Sequence, residues 1–213
     1  MALQLKNLLP DYFPPERGSG SGIWGQQLSI EKGSRVHIVA PSGSGKTSLM
    51  HFLYGLRNSY RGELSVDGQS LRKADAEQWA RLRQNCLSIL LQDLRLFPAL
   101  TVRQNLEVKR QLKPQHPPAK IDEMLHRLGI GDKAEARCAT CSYGENQRVA
   151  IIRALLQPFD YLLLDEPFSH LDQANARRAM DLILEEAGQR GAAIVLADLE
   201  ALAYFPHQQL YHL

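Results

Sequence analysis

Only three cysteines occur among the 213 residues, so no disulfide framework holds this chain together. Cys138 and Cys141 form a lone CxxC (CATC), but a zinc site usually takes four ligands and no second pair exists. The two are read as incidental thiols. Long apolar runs are missing as well. A membrane-crossing helix needs about 20 such residues, and the longest candidate, residues 191–205, is broken by Asp198 and Glu200. Direct membrane insertion is therefore not expected. The first ten residues, MALQLKNLLP, have an apolar stretch interrupted by Asn7 and Pro10, which is not the pattern of a secretion signal. A cytoplasmic chain with reduced thiols is expected. Excess charge of either sign is absent too: 25 Lys and Arg stand against 23 Asp and Glu, a net +2. That balance offers no basic stripe for nucleic acid and no polybasic run for acidic lipid. No internal repeat and no interdomain linker breaks the chain, so residues 1–213 read as one domain.

What is present is ordinary globular composition, 44% hydrophobic and 23% charged. Residues 1–35 read as short β-segments with turns, in which residues 18–22 (GSGSG) form a flexible hairpin tip after a rigid bend at 11–15. GSGSG follows no apolar strand and has no lysine behind it, so it is not read as a phosphate loop. Residues 34–40 predict a buried strand, 62–68 a strand closed by an Asp-Gly turn, 76–84 a helix and 86–91 a strand. Residues 93–137 predict mostly helix, broken at Pro114, Pro117 and Pro118. A helix is expected over 142–157, a strand buried on both faces over 159–164, a helix over 175–188 and another buried strand over 192–196. Strand and helix alternate, which implies an α/β fold with a mostly parallel sheet.

Residues 40–47 read APSGSGKT between an apolar strand and a helix. This is the GxxxxGK[ST] pattern with Ala40 in the first glycine position. Alanine is tolerated there if its backbone is not left-handed. Gly43 and Gly45 let successive N–H groups curl round phosphates without side chains in the way. Lys46 then meets the β- and γ-phosphates, Thr47 offers a hydroxyl to Mg²⁺, and the helix start lies beneath the nucleotide. The cradle is assigned to Ala40, Pro41, Ser42, Gly43, Ser44, Gly45, Lys46, Thr47 and Ser48.

Residues 161–166 read YLLLDE. An apolar strand delivers Asp165 and Glu166 at its C-terminal edge, where ligands sit in such sheets. Asp165 is placed to hold Mg²⁺ through its water shell, and Glu166 to orient or deprotonate the attacking water.

Residues 141–155, CSYGENQRVAIIRAL, resemble the signature segment of the ATP-binding-cassette (ABC) ATPases, usually written LSGGQ followed by QRVAIARAL. The resemblance covers nearly the whole chain. It implies a P-loop NTPase cassette with a mostly parallel central sheet, an antiparallel β subdomain and a helical subdomain. Residues 1–92 and 142–213 would form the nucleotide-binding core with its β subdomain, and residues 93–141 the helical arm. Residues 169–172 (SHLD) resemble the D-loop, which adds Asp172 to the nucleotide site. Gln92 resembles the Q-loop glutamine, a metal ligand together with Thr47 and Asp165 and a catalytic residue together with Lys46 and Glu166. Tyr12 stands where the family stacks an aromatic ring on adenine, with Phe13 as its neighbour. Ser142, Gly144 and Glu145 at a helix start form an anion site, which by the resemblance faces the γ-phosphate held by a second, identical cassette. Two ATP molecules would lie sandwiched head to tail, and closure and opening of the dimer would couple to hydrolysis.

The sequence departs from the family pattern at several places. Cys141, Tyr143 and Glu145 replace Leu, Gly and Gln in the signature. Ala197 stands where the family carries the switch histidine, with Asp198 matching the following acid. A methyl group cannot donate the hydrogen bond an imidazole gives, so slow or partner-dependent hydrolysis is expected. His170, in the D-loop segment, is read as structural or solvent-facing. Leu94, Leu96, Phe97 and Leu100 near Gln92 either line an apolar groove for a partner helix or pack the arm's own core.

The resemblance is strongest to the single-cassette subunits of lipoprotein-release, macrolide-export and cell-division-type systems. It implies work coupled to integral membrane subunits, with this chain held peripherally on the inner face of the cell membrane. Two alternatives stay open: a soluble ABC ATPase of the iron–sulfur-assembly type, and a nucleotide-binding scaffold that hydrolyses poorly.

Overall fold

The computed structural model describes residues 2–213, apart from the side chain of Pro15. In chain order, β1 (Ala2–Pro10) and β2 (Gln27–Glu31) precede β3 (Arg35–Val39), which runs through a glycine-rich turn into α1 (Lys46–Leu53). Next come β4 (Tyr60–Val66), β5 (Gln69–Ser70), α2 (Ala76–Asn85) and β6 (Leu87–Leu90). The arm follows, with α3 (Val102–Leu112) and α4 (Ala119–Arg127). The chain then returns through α5 (Tyr143–Leu155), β7 (Tyr161–Asp165), α6 (Gln173–Arg190), β8 (Ala193–Asp198) and β9 (Gln209–His212).

Two sheets result. The central one has the order β6-β7-β8-β3-β9, and every neighbouring pair is parallel. The other, β2-β1-β4-β5, is antiparallel throughout. The apolar runs explain the first sheet: all five residues of β7 are buried, as a strand covered on both faces requires. Side-chain alternation divides its contacts. Leu162 and Leu164 join the core beneath α5, α6 and the arm, whereas Tyr161 and Leu163 join the core shared with α1 and the antiparallel sheet. Asp165 continues the Tyr161–Leu163 parity, which carries its carboxyl toward α1. Ala197, paired with Asp165 across the β7–β8 ladder, lies on that same side.

Two expectations needed revision, and one strand was not anticipated. Residues 18–22 lie within the connection between the antiparallel β1 and β2 but do not form a free hairpin tip. The link between β1 and β2 folds back on the body, where the amide of Gly22 donates to the His212 carbonyl at 2.7 Å. The buried Ser21 hydroxyl accepts from the amides of Ile23 and Trp24, fixing a turn that buries both of those side chains. The arm carries less helix than expected, because residues 93–101 form an irregular link in which Leu94 and Arg95 have left-handed φ values of 54° and 49°. Strand β9 has no sequence signal: its burial only alternates between half-buried and exposed, and its ladder to β3 holds it in place.

Candidate functional site

The turn between β3 and α1 is built by glycine where only glycine serves. Gly43 and Gly45 have φ values of 79° and 102°, and Gly45 caps α1. A Cβ on Gly45 would stand 3.1 Å from the Trp24 ring and 3.3 Å from that of Phe13. Ala40 is buried and has no left-handed φ, so the methyl group fits the first position of the motif. The turn faces a cleft of about 250 Å³ lined by Tyr12, Phe13, Ser42, Gly43, Gly45, Lys46, Thr47, Ser48, Gln92 and Glu166. Tyr12 rather than Phe13 is the available aromatic surface, since it is 56% exposed and Phe13 only 9%. The Tyr12 hydroxyl is 2.5 Å from Oγ of Ser48 on α1, and the two rings meet edge to face at 4.9 Å.

Lys46 is 4% exposed and has three acceptors for its three protons. Its ammonium donates to the carbonyls of Ala40 at 2.8 Å and Pro41 at 3.2 Å, and lies 3.4 Å from Oε1 of Glu166. Oε2 of Glu166 accepts from Nε2 of Gln92 at 3.2 Å. Glu166 holds this position at a φ of 48°, uncommon for a non-glycine residue, with its amide bonded to the Ala197 carbonyl at 2.9 Å.

Asp165 lies beside this group. It is fully buried, and neither carboxylate oxygen has a hydrogen-bond partner among the described residues. Burial pushes its carboxyl up to about 6; the Thr47 hydroxyl, close by but outside hydrogen-bond geometry, opposes that rise only in part. A buried, unpartnered carboxylate next to Thr47 is a fitting donor set for a hard divalent cation. Among the described residues no three His, Cys, Asp or Glu side chains could hold a metal by themselves. A cation here would need further oxygen ligands from a phosphate or water. Burial likewise raises the Asp198 carboxyl, and the Leu199 amide bonded to it opposes the shift.

Within the segment resembling the signature, Ser142, Gly144 and Glu145 do not line this cleft. Ser142 caps α5 and shares a capping box with Glu145: the Ser142 hydroxyl accepts from the Glu145 amide at 3.2 Å, and the Glu145 carboxylate accepts from the Ser142 amide at 2.7 Å. That amide holds the Glu145 carboxyl below its usual range. Asp172 caps α6 in the same manner through the Asn175 amide at 2.8 Å. Gly144 packs against the turn before α6, where a Cβ would meet the His170 carbonyl at 2.9 Å. None of Ser142, Gly144, Glu145 and Asp172 is among the residues that line the cleft. Of the apolar residues near Gln92, Leu94 is core, Leu96 and Leu100 are half-buried, and only Phe97 is openly exposed.

A family model described as ABC transporter matches residues 25–169. The chain belongs to the ABC transporter family. The cassette is 33% identical over 217 residues to the lipoprotein-releasing system ATP-binding protein LolD of Alcanivorax borkumensis, covering 99% of this chain and 94% of that protein. It is 35% identical over 197 residues to the macrolide export ATP-binding/permease protein MacB of Shigella flexneri, covering 91% of this chain and 30% of that longer protein. Among solved structures, the ATP-binding cassette MJ0796, in a dimeric post-hydrolysis state bound to ADP and Pi, superimposes with a TM-score of 0.80 at 25% identity, covering 93% of this chain and 88% of that one. Cassettes of this family bind and hydrolyse ATP.

Several contacts of the cassette's site have no sequence signal. Arg17 donates to the Gly43 carbonyl at 3.2 Å and covers the Phe13 ring at 4.7 Å. The Trp24 indole donates to the Ser44 carbonyl at 3.2 Å. Each brings the irregular 11–26 link to the phosphate loop. No helix of the described residues is long and apolar enough to cross a membrane.

Proposed function

We propose that this chain is the ATP-hydrolysing subunit of a complex that performs transport or mechanical signalling across a membrane, its membrane subunits being separate chains. The observation that carries this reading is the convergence of Lys46, Gln92 and Glu166 on one cleft beside an unpartnered, buried Asp165. In this reading residues 40–48 cradle the triphosphate and Lys46 exchanges its carbonyl partners for phosphate oxygens. Tyr12 offers its exposed ring to the adenine. Thr47, Gln92 and Asp165 would hold Mg²⁺, which when bound neutralises charge on the phosphoryl group being transferred. Glu166, released from Lys46 as the phosphate arrives, orients water and accepts its proton.

The surface formed by Ser142, Gly144, Glu145 and Asp172 would close over the nucleotide of a second, identical cassette. Residues 93–141 would form the arm that receives the membrane subunits, and these would keep the cassette on the inner face of the cell membrane. Ala197 favours a second reading, in which hydrolysis is slow and the complex serves mainly as a nucleotide-gated scaffold.

Purification in mild detergent from cells expressing the natural complex tests the first reading. It requires a stoichiometric integral membrane protein, Mg²⁺-dependent ATP hydrolysis, and a Glu166→Gln form that retains labelled ATP without turning it over. A soluble-only assembly would reject the membrane role. A protein that neither binds nor hydrolyses ATP would reject the enzymatic one.

A further inference from the structure

The bulkiest departure in the signature segment is Tyr143, at a position beside the expected phosphate-facing surface. The phenol turns back within its own subunit, where its hydroxyl donates to the Gln92 carbonyl at 3.0 Å. Its ring lies on the His170 imidazole with centroids 4.1 Å apart, tilted by 48°. His170 is itself tied down. Its Nδ1 is 2.9 Å from Oγ of Ser169, and its amide donates to Oε1 of Gln147 at 3.1 Å. The Ser169 hydroxyl and the Gln147 amide group both bond the Glu166 carbonyl, each at 3.3 Å. Gln92 closes the ring by donating from its side chain to the Glu166 carboxylate.

Glu166 is thus approached from two directions by groups that Tyr143 touches. Its carbonyl is held through the turn carrying His170, and its carboxylate through Gln92. Gln92 lies in an irregular link with no ladder or helix of its own, so its backbone position depends on contacts such as this one.

We propose that Tyr143 is a positioning residue for hydrolysis: its hydroxyl fixes the Gln92 backbone so that the Gln92 side chain holds the Glu166 carboxylate in place. The proposal rests on reading the chain as an ATPase with Glu166 as its base. It also explains how a large residue is tolerated in the segment. The ring, still 46% exposed, is held against His170 and Gln92 of its own subunit.

The test is steady-state ATP hydrolysis by the purified complex, with wild type, Tyr143→Phe, Gln92→Ala and the double variant. Tyr143→Phe keeps the ring and its stack but loses the hydroxyl bond. A neutral hydrogen bond is worth about 0.5–1.5 kcal/mol, so turnover should fall about two- to tenfold with the KM for ATP unchanged. In the Gln92→Ala background the same substitution should cost nothing further, because the group through which the hydroxyl acts is gone. A merely structural tyrosine would give additive losses and a matching drop in Tm. Additive losses, or a Tyr143→Phe turnover equal to wild type, overturn the proposal while leaving the ATPase reading intact. Absence of wild-type hydrolysis that depends on Glu166 overturns the ATPase reading and this proposal with it.

Discussion

The Lys46 ammonium lies 3.4 Å from the Glu166 carboxylate, so the cation proposed to meet phosphate is paired with the base proposed to act on water. With two backbone carbonyls it completes a set of three acceptors around a buried ammonium. In the proposed function, a triphosphate entering the loop would take over the ammonium and free Glu166 in the same movement. Hydrogen bonds to charged groups are worth about 1.5–3 kcal/mol. Lys46→Ala is therefore expected to weaken ATP binding about 10- to 100-fold. Titration with a fluorescent nucleotide checks it, and unchanged affinity would mean that this ammonium does not meet the phosphates.

The unpartnered Asp165 makes a prediction about pH. Unfolded, its carboxyl ionises near 3.8; in the folded chain burial moves this to about 6. Between those values the folded protein keeps a proton that the unfolded chain has released. Stability therefore falls as pH rises through this window and stays lower above it. The loss at neutral pH is about 3 kcal/mol at most. Asp165→Asn should raise the Tm of the nucleotide-free protein near pH 7.5, and the gain should shrink toward about pH 4. Mg²⁺ with a non-hydrolysable ATP analogue should reverse the order, stabilising wild type more than the variant. Thermal unfolding across pH, with and without the analogue, reads both effects. A variant less stable than wild type at neutral pH would contradict the argument.

How much of this could be read beforehand depended on the range of the interactions. The phosphate loop and the acidic strand were legible because each is a short segment whose chemistry is local. Apolar strand, glycine turn and helix start lie within a few residues of one another, and Leu162 to Asp165 form a buried run that needs no partner to be recognised. The helix start at Ser142 was equally local, whereas α6 begins at Gln173, two residues before the expected 175. What escaped depends on distant pairs. The Tyr143 hydroxyl finds an acceptor 51 residues earlier in the chain. Strand β9 is ordered only by β3, and the GSGSG segment by its bond to His212. Leu94 and Phe97 are both large and apolar and lie three residues apart in an irregular link. One joins the core and the other is exposed, and no periodicity could have separated them.

Ala197 lies opposite Asp165 in the ladder, and its carbonyl holds the Glu166 amide. No histidine lines the cleft. If one hydrogen-bond donor to the reacting phosphate is missing here, restoring it should accelerate hydrolysis. Such a donor is worth about 10²–10³ in rate, so Ala197→His is expected to raise turnover by about 10² at unchanged nucleotide affinity. The alanine is fully buried, so the larger ring also tests the packing, and a Tm measured alongside separates lost stability from altered chemistry. A folded variant with wild-type turnover would show that some other group already supplies the missing contact.

Gly144 gives the last prediction, because its replacement brings two opposing effects into one helix. Gly to Ala inside a helix ordinarily stabilises by about 1 kcal/mol, since alanine has less backbone freedom to lose on folding. At Gly144 the new Cβ would stand 2.9 Å from the His170 carbonyl, a backbone atom that cannot swing away like the end of a side chain. Forcing a methyl group into packed structure costs about 1–3 kcal/mol. The clash should win, and Gly144→Ala should lower the Tm and displace the turn that carries His170 and Asp172. Gly188 in α6 is the internal control: a Cβ there meets nothing within 4 Å, so Gly188→Ala should raise the Tm. Opposite shifts for the two variants would mean that Gly144 is kept for its contact with its own subunit, quite apart from any phosphate. If both variants are stabilised, the turn can move aside and the close approach is not what demands glycine.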